Sequence, residues 1–213
     1  MPKYKIVIFD LDGTLADTDL VMVQTMINFI HRYDPKRKVS LMELLQLSGP
    51  PITDTLKRYF PNHDNALLVK EFADVAKDMY PKYALAFPGI HFFLKQLKEA
   101  GIHVAIVTSK LKRNALITLK EIGLEGAFDM IVSLDEVKKP KPDPEGIFLV
   151  LNHYRLTPQD AVFIGDSIFD YQAAQNAKVD IALVQWSLKG YPSSVQPTFW
   201  VSHYEQAWKE LRL

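Results

Sequence analysis

The chain has 213 residues, with 25 Lys+Arg balanced by 25 Asp+Glu, so its formal net charge is zero. At about 100–200 residues per domain this is one domain, or one domain carrying a small insertion, and the even charge excludes a globally basic nucleic-acid binder while leaving room for a local basic patch. Its 48% apolar and 23% charged residues are ordinary for a globular chain, and the absence of cysteine excludes disulfides, thiolate metal sites and cysteine nucleophiles.

The first element is a strand over Lys5–Phe9 (KIVIF). Its apolar run stops at Asp10, well short of the ~7–15 residues of an export signal or the ~20 of a spanning helix. A soluble cytoplasmic protein without a membrane partner is therefore expected. From Asp17 to Phe87 no good strand appears. Four helical stretches are expected there, roughly Thr18–Arg32, Leu41–Leu47, Ile52–Phe60 and Asp64–Leu85, punctuated by Pro35, Gly49-Pro50-Pro51 and Pro61-Asn62. Some 70 residues are too many for one crossover in a compact α/β domain, so this segment reads as an inserted helical subdomain, with Pro88-Gly89 marking the return.

Beyond it, strand and helix alternate. Gly89–Ala100 sets Ile90, Phe93, Leu94 and Leu97 on one stripe and stops at Gly101. His103–Val107 is a strand. Arg113–Ile122 is a helix closed by Gly123, and Met130–Ser133 is a strand. Pro144–Tyr154 is a helix with Asp143 as its N-cap. Ala161–Ile164 and Ile181–Val184 are strands, and His203–Leu213 closes the chain as a helix. These strands are apolar on both faces, as in a sheet covered on both sides. The expected fold is α/β: a Rossmann-like, doubly wound parallel sheet with a small helical cap inserted after the first strand. Its core spans 1–16 and 87–213, and its cap 17–86.

In open parallel sheets, ligands sit beyond the carboxyl ends of the strands. The residues following the apolar runs are Asp10-Leu11-Asp12-Gly13-Thr14, then Thr108-Ser109-Lys110, then Gly165-Asp166-Ser167 with Asp170 close behind. Asp10 and Asp12, two apart on an extended chain, share a face, where their charges repel unless a cation lies between them. Mg²⁺ takes oxygen ligands, often one or two carboxylates with phosphate oxygens. Gly13 suits a turn at positive φ or a close backbone approach to a ligand. Each feature has a plainer reading. Asp-Gly opens many turns, and Thr108 and Ser109 could start a helix. The Pro-rich loop Lys138–Pro144 could be a solvated linker or a lysine held rigidly toward an anion. The six histidines have no ligand-like spacing and read as structural or solvated. The tryptophans read as packing near the C-terminal edge of the sheet.

Together these residues resemble the haloacid dehalogenase superfamily, specifically its phosphatases. Its four motifs are matched in order: D-x-D-G-T-L at Asp10–Leu15, a strand ending in Thr or Ser at Ile106–Lys110, the K-P-x-P loop, and G-D-S-x-x-D at Gly165–Asp170. The loop matches in two registers, beginning at Lys139 or at Lys141. Lys141 is favoured because it immediately precedes Asp143-Pro144 and because its interval to Asp166 resembles the family's spacing. Ser48–Leu56 and Val184–Gly190 resemble phosphoglycolate phosphatases and the related bacterial pyrophosphatases.

The resemblance implies an enzyme that hydrolyses a small phosphorylated metabolite with Mg²⁺, and no nucleic-acid partner. Asp10 is the implied nucleophile, forming an aspartyl-phosphate, and Asp12 the general acid and then base. The Asp10 carboxylate, the Asp12 backbone carbonyl and Asp166 would hold the metal. Thr108, Ser109, Gly13 and Lys141 would meet the phosphoryl group, and Asp170 would orient Lys141 or a metal-bound water. The cap would close about Leu15–Thr18 and Phe87–Gly89, with Gly49–Thr53 as a substrate-reading loop or a mere turn. Lys57 and Arg58 are its basic candidates. Phosphoglycolate, pyrophosphate and small sugar phosphates all remain open, as does a phosphosugar mutase. A dehalogenase lacks the second Asp of the first motif, a phospho-receiver module needs no cap, and a silent binding protein would not keep every motif residue.

Overall fold

A computed structural model describes residues 3–47 and 50–213. Strands β1 (Ile6–Phe9), β4 (His103–Val107), β5 (Met130–Val132), β6 (Ala161–Gly165), β7 (Asp180–Val184) and β8 (Phe199–Val201) form one sheet in the order β5-β4-β1-β6-β7-β8, all parallel. Two-residue strands β2 (Ala16–Asp17) and β3 (Leu85–Ala86) form a separate antiparallel ribbon.

The alternation of side chains along each strand divides the core. Val7 and Phe9 pack with Val104, Ile106, Val162 and Ile164 on one face. Ile6 and Ile8 pack with Ala105, Val107, Ala161 and Phe163 on the other. Helices α6 (Ile90–Glu99), α7 (Lys112–Glu121) and α10 (Tyr204–Glu210) cover the first face, and α8 (Glu145–Tyr154) and α9 (Ile168–Ala177) the second. The expected doubly wound α/β sheet is therefore present. Its register carries the chemistry: Phe9 lies level with Ile106 on one side and Ile164 on the other, so Asp10, Thr108 and Asp166 emerge together at one edge.

Helices α1 (Asp19–Tyr33), α2 (Leu41–Leu45), α3 (Ile52–Tyr59), α4 (Asn65–Lys77) and α5 (Tyr80–Tyr83) lie between β2 and β3. The expected fourth helical stretch is two helices, not one. Pro81 in the first turn of α5 has no N–H to continue α4, so the break falls before it. The links flanking the insertion are not free strands. Ala16 pairs with Ala86 and Asp17 with Leu85, and the Phe87 N–H donates to the Leu15 carbonyl. The sheet's edge strand β8 was not expected; Phe199–Val201 is too short to give a periodic signal. Helix α8 begins one residue later than expected, yet the Asp143 carboxylate still accepts from the Glu145 N–H at 3.0 Å.

The inserted helices have an aromatic centre. The Phe29 ring, fully buried, lies 5.2 Å from Phe72, 5.5 Å from Tyr33 and 6.3 Å from Phe60. Truncating such a ring leaves a cavity that helices held by short loops cannot collapse around. Phe29→Ala is expected to cost about 3–5 kcal/mol in denaturant unfolding.

Candidate active site

The strand ends deliver three carboxylates to one point. Ligand oxygens of Asp10, Asp166 and Asp170 all lie within 4.8 Å of one another, and all three residues are buried. Asp10 is fixed by its N–H donating to the Ile164 carbonyl at 2.8 Å. Asp170 occupies the third position of α9, where its Oδ2 accepts from the Ser167 N–H at 3.0 Å and the Ser167 hydroxyl at 2.6 Å. The Ser167 Oγ in turn accepts from the Asp170 N–H, a reciprocal cap that locks this carboxylate at a helix N-terminus.

Lys141 reaches this cluster from the Pro-rich loop. Its Nζ donates to Asp10 Oδ1 and to Asp170 Oδ1, each at 2.6 Å, with the ammonium buried. Lys139, from the competing register, is exposed and lies 4.0 Å from Asp143. Asp170 is thus hydrogen-bonded to Lys141.

Asp12 lines the same cleft as Asp10 but stands outside the carboxylate cluster. The chain turns after Phe9, and the Asp12 carboxylate points instead to the Thr18 hydroxyl and the Lys110 ammonium. It is not in the carboxylate cluster, so only its backbone could serve a metal held there. The Lys110 ammonium also lies 4.4 Å from the centre of the Tyr80 ring. Gly13, at φ +85°, stands so close to Asp166 that a Cβ would fall 2.1 Å from Oδ2. The Gly13 carbonyl accepts from Trp186 Nε1 at 3.1 Å, so Trp186 does more than pack near an edge. Thr108 is buried, with its hydroxyl accepting from the Lys110 N–H at 3.2 Å, and the buried Ser109 hydroxyl has no partner among the described residues.

Lys110 is one of the strand-end residues that the sequence places beside Thr108 and Ser109, but neither its pairing with Asp12 nor the place of Lys189 has a sequence signal. Lys189, on the loop after β7, donates to Asp166 Oδ2, and the neighbouring Ser187 hydroxyl donates to the Asp166 carbonyl at 3.0 Å.

A cleft opens from Asp10, Asp12, Thr108 and Lys141 toward the inserted helices. Lys57 and Arg58 do not line it. On α3 the side facing inward is Thr55, Leu56 and Tyr59, which leaves both cations on the solvent side. Of the expected reading loop Gly49–Thr53, Pro50 and Ile52 line the cleft, while Gly49 lies outside the described residues. No histidine joins the carboxylates; His103 packs on the Tyr154 ring at the far end of β4.

Comparison with known proteins matches residues 7–184 to the haloacid dehalogenase-like hydrolases. The chain belongs to this family. Among its curated relatives is the pyrophosphatase PpaX of Bacillus velezensis, 32% identical over 86% of this chain and 84% of that one. PpaX of Listeria innocua is 30% identical over 92% of this chain and 91% of that one. Among solved structures, CbbY of Rhodobacter sphaeroides in complex with phosphate superposes with a TM-score of 0.85 at 18% identity, covering 96% of each chain. A subfamily IA hydrolase of Geobacter sulfurreducens superposes at 0.73 with 19% identity, covering 98% and 96%. The chain is an enzyme, a hydrolase, and no helix among its described residues is long and apolar enough to cross a membrane.

Haloacid dehalogenase-like enzymes use a divalent metal, and the donor set here fits one. It is all oxygen, it is buried, and Asp166 Oδ1 has no hydrogen-bond partner among the described residues. Charge points the same way. Burial pushes Asp10 up to about 8 against the pull of Lys141, with Asp170 and Asp166 adding to the rise. Burial likewise pushes Asp166 up to about 6 against Lys189. Three buried carboxylates beside two ammoniums still lack positive charge. Asp12 behaves oppositely. Burial works against its ionisation, but the charge and hydrogen bond of Lys110 outweigh it and hold the carboxyl below its ordinary range.

Two outcomes follow. Lys141→Met strands two buried carboxylates and is expected to cost about 3–5 kcal/mol, whereas Lys139→Met stays within about 0.5 kcal/mol in the same denaturant titration. In the chelated enzyme, Asp10 and Asp166 keep protons in the folded state that the unfolded chain has released above about pH 4. Their contribution to stability therefore falls as pH rises from about 4 through 6 to 8. Metal binding displaces those protons, so the rise in Tm on adding Mg²⁺ is expected to be larger at pH 8 than at pH 6.

Proposed function

We propose that this hydrolase is a Mg²⁺-dependent phosphatase that cleaves a small phosphate monoester through an aspartyl-phosphate on Asp10. The observation that carries this reading is the buried contact of Asp10 with Lys141 beside Asp166. A carboxylate held by an ammonium inside an all-oxygen cluster suits attack on an anionic phosphorus centre, not general polar binding. The Asp10 and Asp166 carboxylates, with the Asp12 backbone carbonyl, would hold Mg²⁺, which when bound brings two anions together and offsets charge in the transition state.

The chain's own groups do the rest. Asp10 Oδ attacks phosphorus in line, the bond to the leaving oxygen breaks, and the phosphoryl group rests on Asp10. Lys141 neutralises a phosphoryl oxygen while Asp170 keeps the ammonium in place. The Ser109 hydroxyl, without a partner among the described residues, and the Ser109 amide supply further donors. Asp12 gives a proton to the leaving oxygen and later takes one from the water that hydrolyses the ester. Its contact with Lys110 favours the ionised form required in the second half, and the first half needs the protonated form. The inserted helices act as a cap that excludes water from the ester. The paired links β2 and β3 are the hinge, and the cap spans 17–86.

The names of the PpaX relatives favour a second reading, in which the leaving group is a second phosphate. Both readings share the covalent step. With Mg²⁺ and an aryl phosphate, steady phosphate release is expected, lost on addition of EDTA and reduced at least ~10³-fold by Asp10→Asn. Release that survives either treatment contradicts the reading.

A further inference from the structure

Beyond the phosphoryl-binding groups the cleft is walled by the inserted helices, and that wall sets which part of a substrate can lie there. The inserted helices contribute Val21 and Met22 from α1, Ile52 from α3, Val69 and Phe72 from α4, and Tyr80 from α5. These helices are not poor in cations. Lys57, Arg58, Lys70 and Lys77 lie on α3 and α4, yet all four are exposed and none lines the cleft.

The cations that do line it are Lys110 and Lys141, and both are engaged. Lys110 is paired with Asp12, and Lys141 with Asp10 and Asp170. A second negative group on the substrate, whether carboxylate or phosphate, would lose its water against an apolar wall and find no unpaired cation among the described lining residues. Burying such a charge without a partner is strongly unfavourable. An alkyl or aromatic group placed there gains from leaving water.

We infer that the group esterified to the phosphate is uncharged and largely apolar, an alkyl or aryl alcohol seated against Val21, Met22, Ile52, Val69 and Phe72. The inference rests on the phosphatase reading and narrows its substrate class. It sets aside the carboxylate of phosphoglycolate and the second phosphate of pyrophosphate as the preferred leaving group. Specificity then resides in the inserted helices, and the chemistry in the sheet.

A matched pair of esters tests it: n-pentyl phosphate and 4-(phosphonooxy)butanoate, alike in leaving-group length and differing by a terminal carboxylate, with inorganic pyrophosphate as a third substrate. With Mg²⁺ the pentyl ester is expected to have a kcat/KM at least tenfold above that of the charged ester, and above that of pyrophosphate. Val69→Lys, a half-buried position, should narrow or invert the ratio by lowering the first value and raising the second. Met22→Lys serves the same purpose if the first variant fails to fold. Equal or better turnover of the charged ester, or a higher kcat/KM for pyrophosphate, overturns the inference while leaving the phosphatase reading intact. Failure to hydrolyse all three overturns both.

Discussion

Lys141 between Asp10 and Asp170 is the contact on which the rest of the site depends. Three buried carboxylates at the end of a parallel sheet repel one another, and none is accessible enough for water to screen the repulsion. The ammonium stands against two of them and Lys189 against the third. The arrangement stays short of full neutrality, which makes the cluster a receptor for a hard cation and leaves Asp10 and Asp166 with carboxyl groups reluctant to ionise without one. Stability and chemistry are thus coupled through the same few atoms.

The sheet makes this possible by register alone. Because β1 lies between β4 and β6 with Phe9 level with Ile106 and Ile164, residues more than 150 positions apart in the chain leave their strands at one height. The β7–β8 region then tightens the loop after β1 from behind. Trp186 donates to the Gly13 carbonyl, the Tyr204 hydroxyl to the Thr14 carbonyl at 3.0 Å, and the Ser187 hydroxyl to the Asp166 carbonyl. These donors hold the backbone in the shape that brings Gly13 against Asp166, where no Cβ fits.

Most of this frame is legible in the sequence because strands buried on both faces leave continuous apolar runs, and because the reactive residues follow those runs directly. Asp10, Thr108 and Asp166 are readable for that reason. What local pattern could not show is where a long side chain goes once the chain turns. Asp12 lines the same cleft as Asp10, but its carboxylate pairs with Lys110, which no local pattern shows. Lys189 sits in a loop with no periodicity, and only the three-dimensional closeness of β6 and β7 reveals it. Lys57 and Arg58 were plausible as basic residues of an inserted segment. Helical phase alone, fixed by the burial of Leu56 and Tyr59, turns them outward. The two registers of the Pro-rich loop differ by two residues; the helix onset at Asp143-Pro144 and the interval to Asp166 favour Lys141 in the sequence, and its ammonium is the one buried beside two carboxylates.

The electrostatic account converges on one cation at one place. Crystals of the wild-type enzyme grown with millimolar Mn²⁺, a substitute with the same preference for oxygen ligands, can be examined by anomalous scattering. A single strong peak in contact with the carboxylates of Asp10 and Asp166, with Lys189 withdrawn from Asp166, is the expected result. No peak at that position, or an ion held only by Asp12 and Thr18, would contradict it.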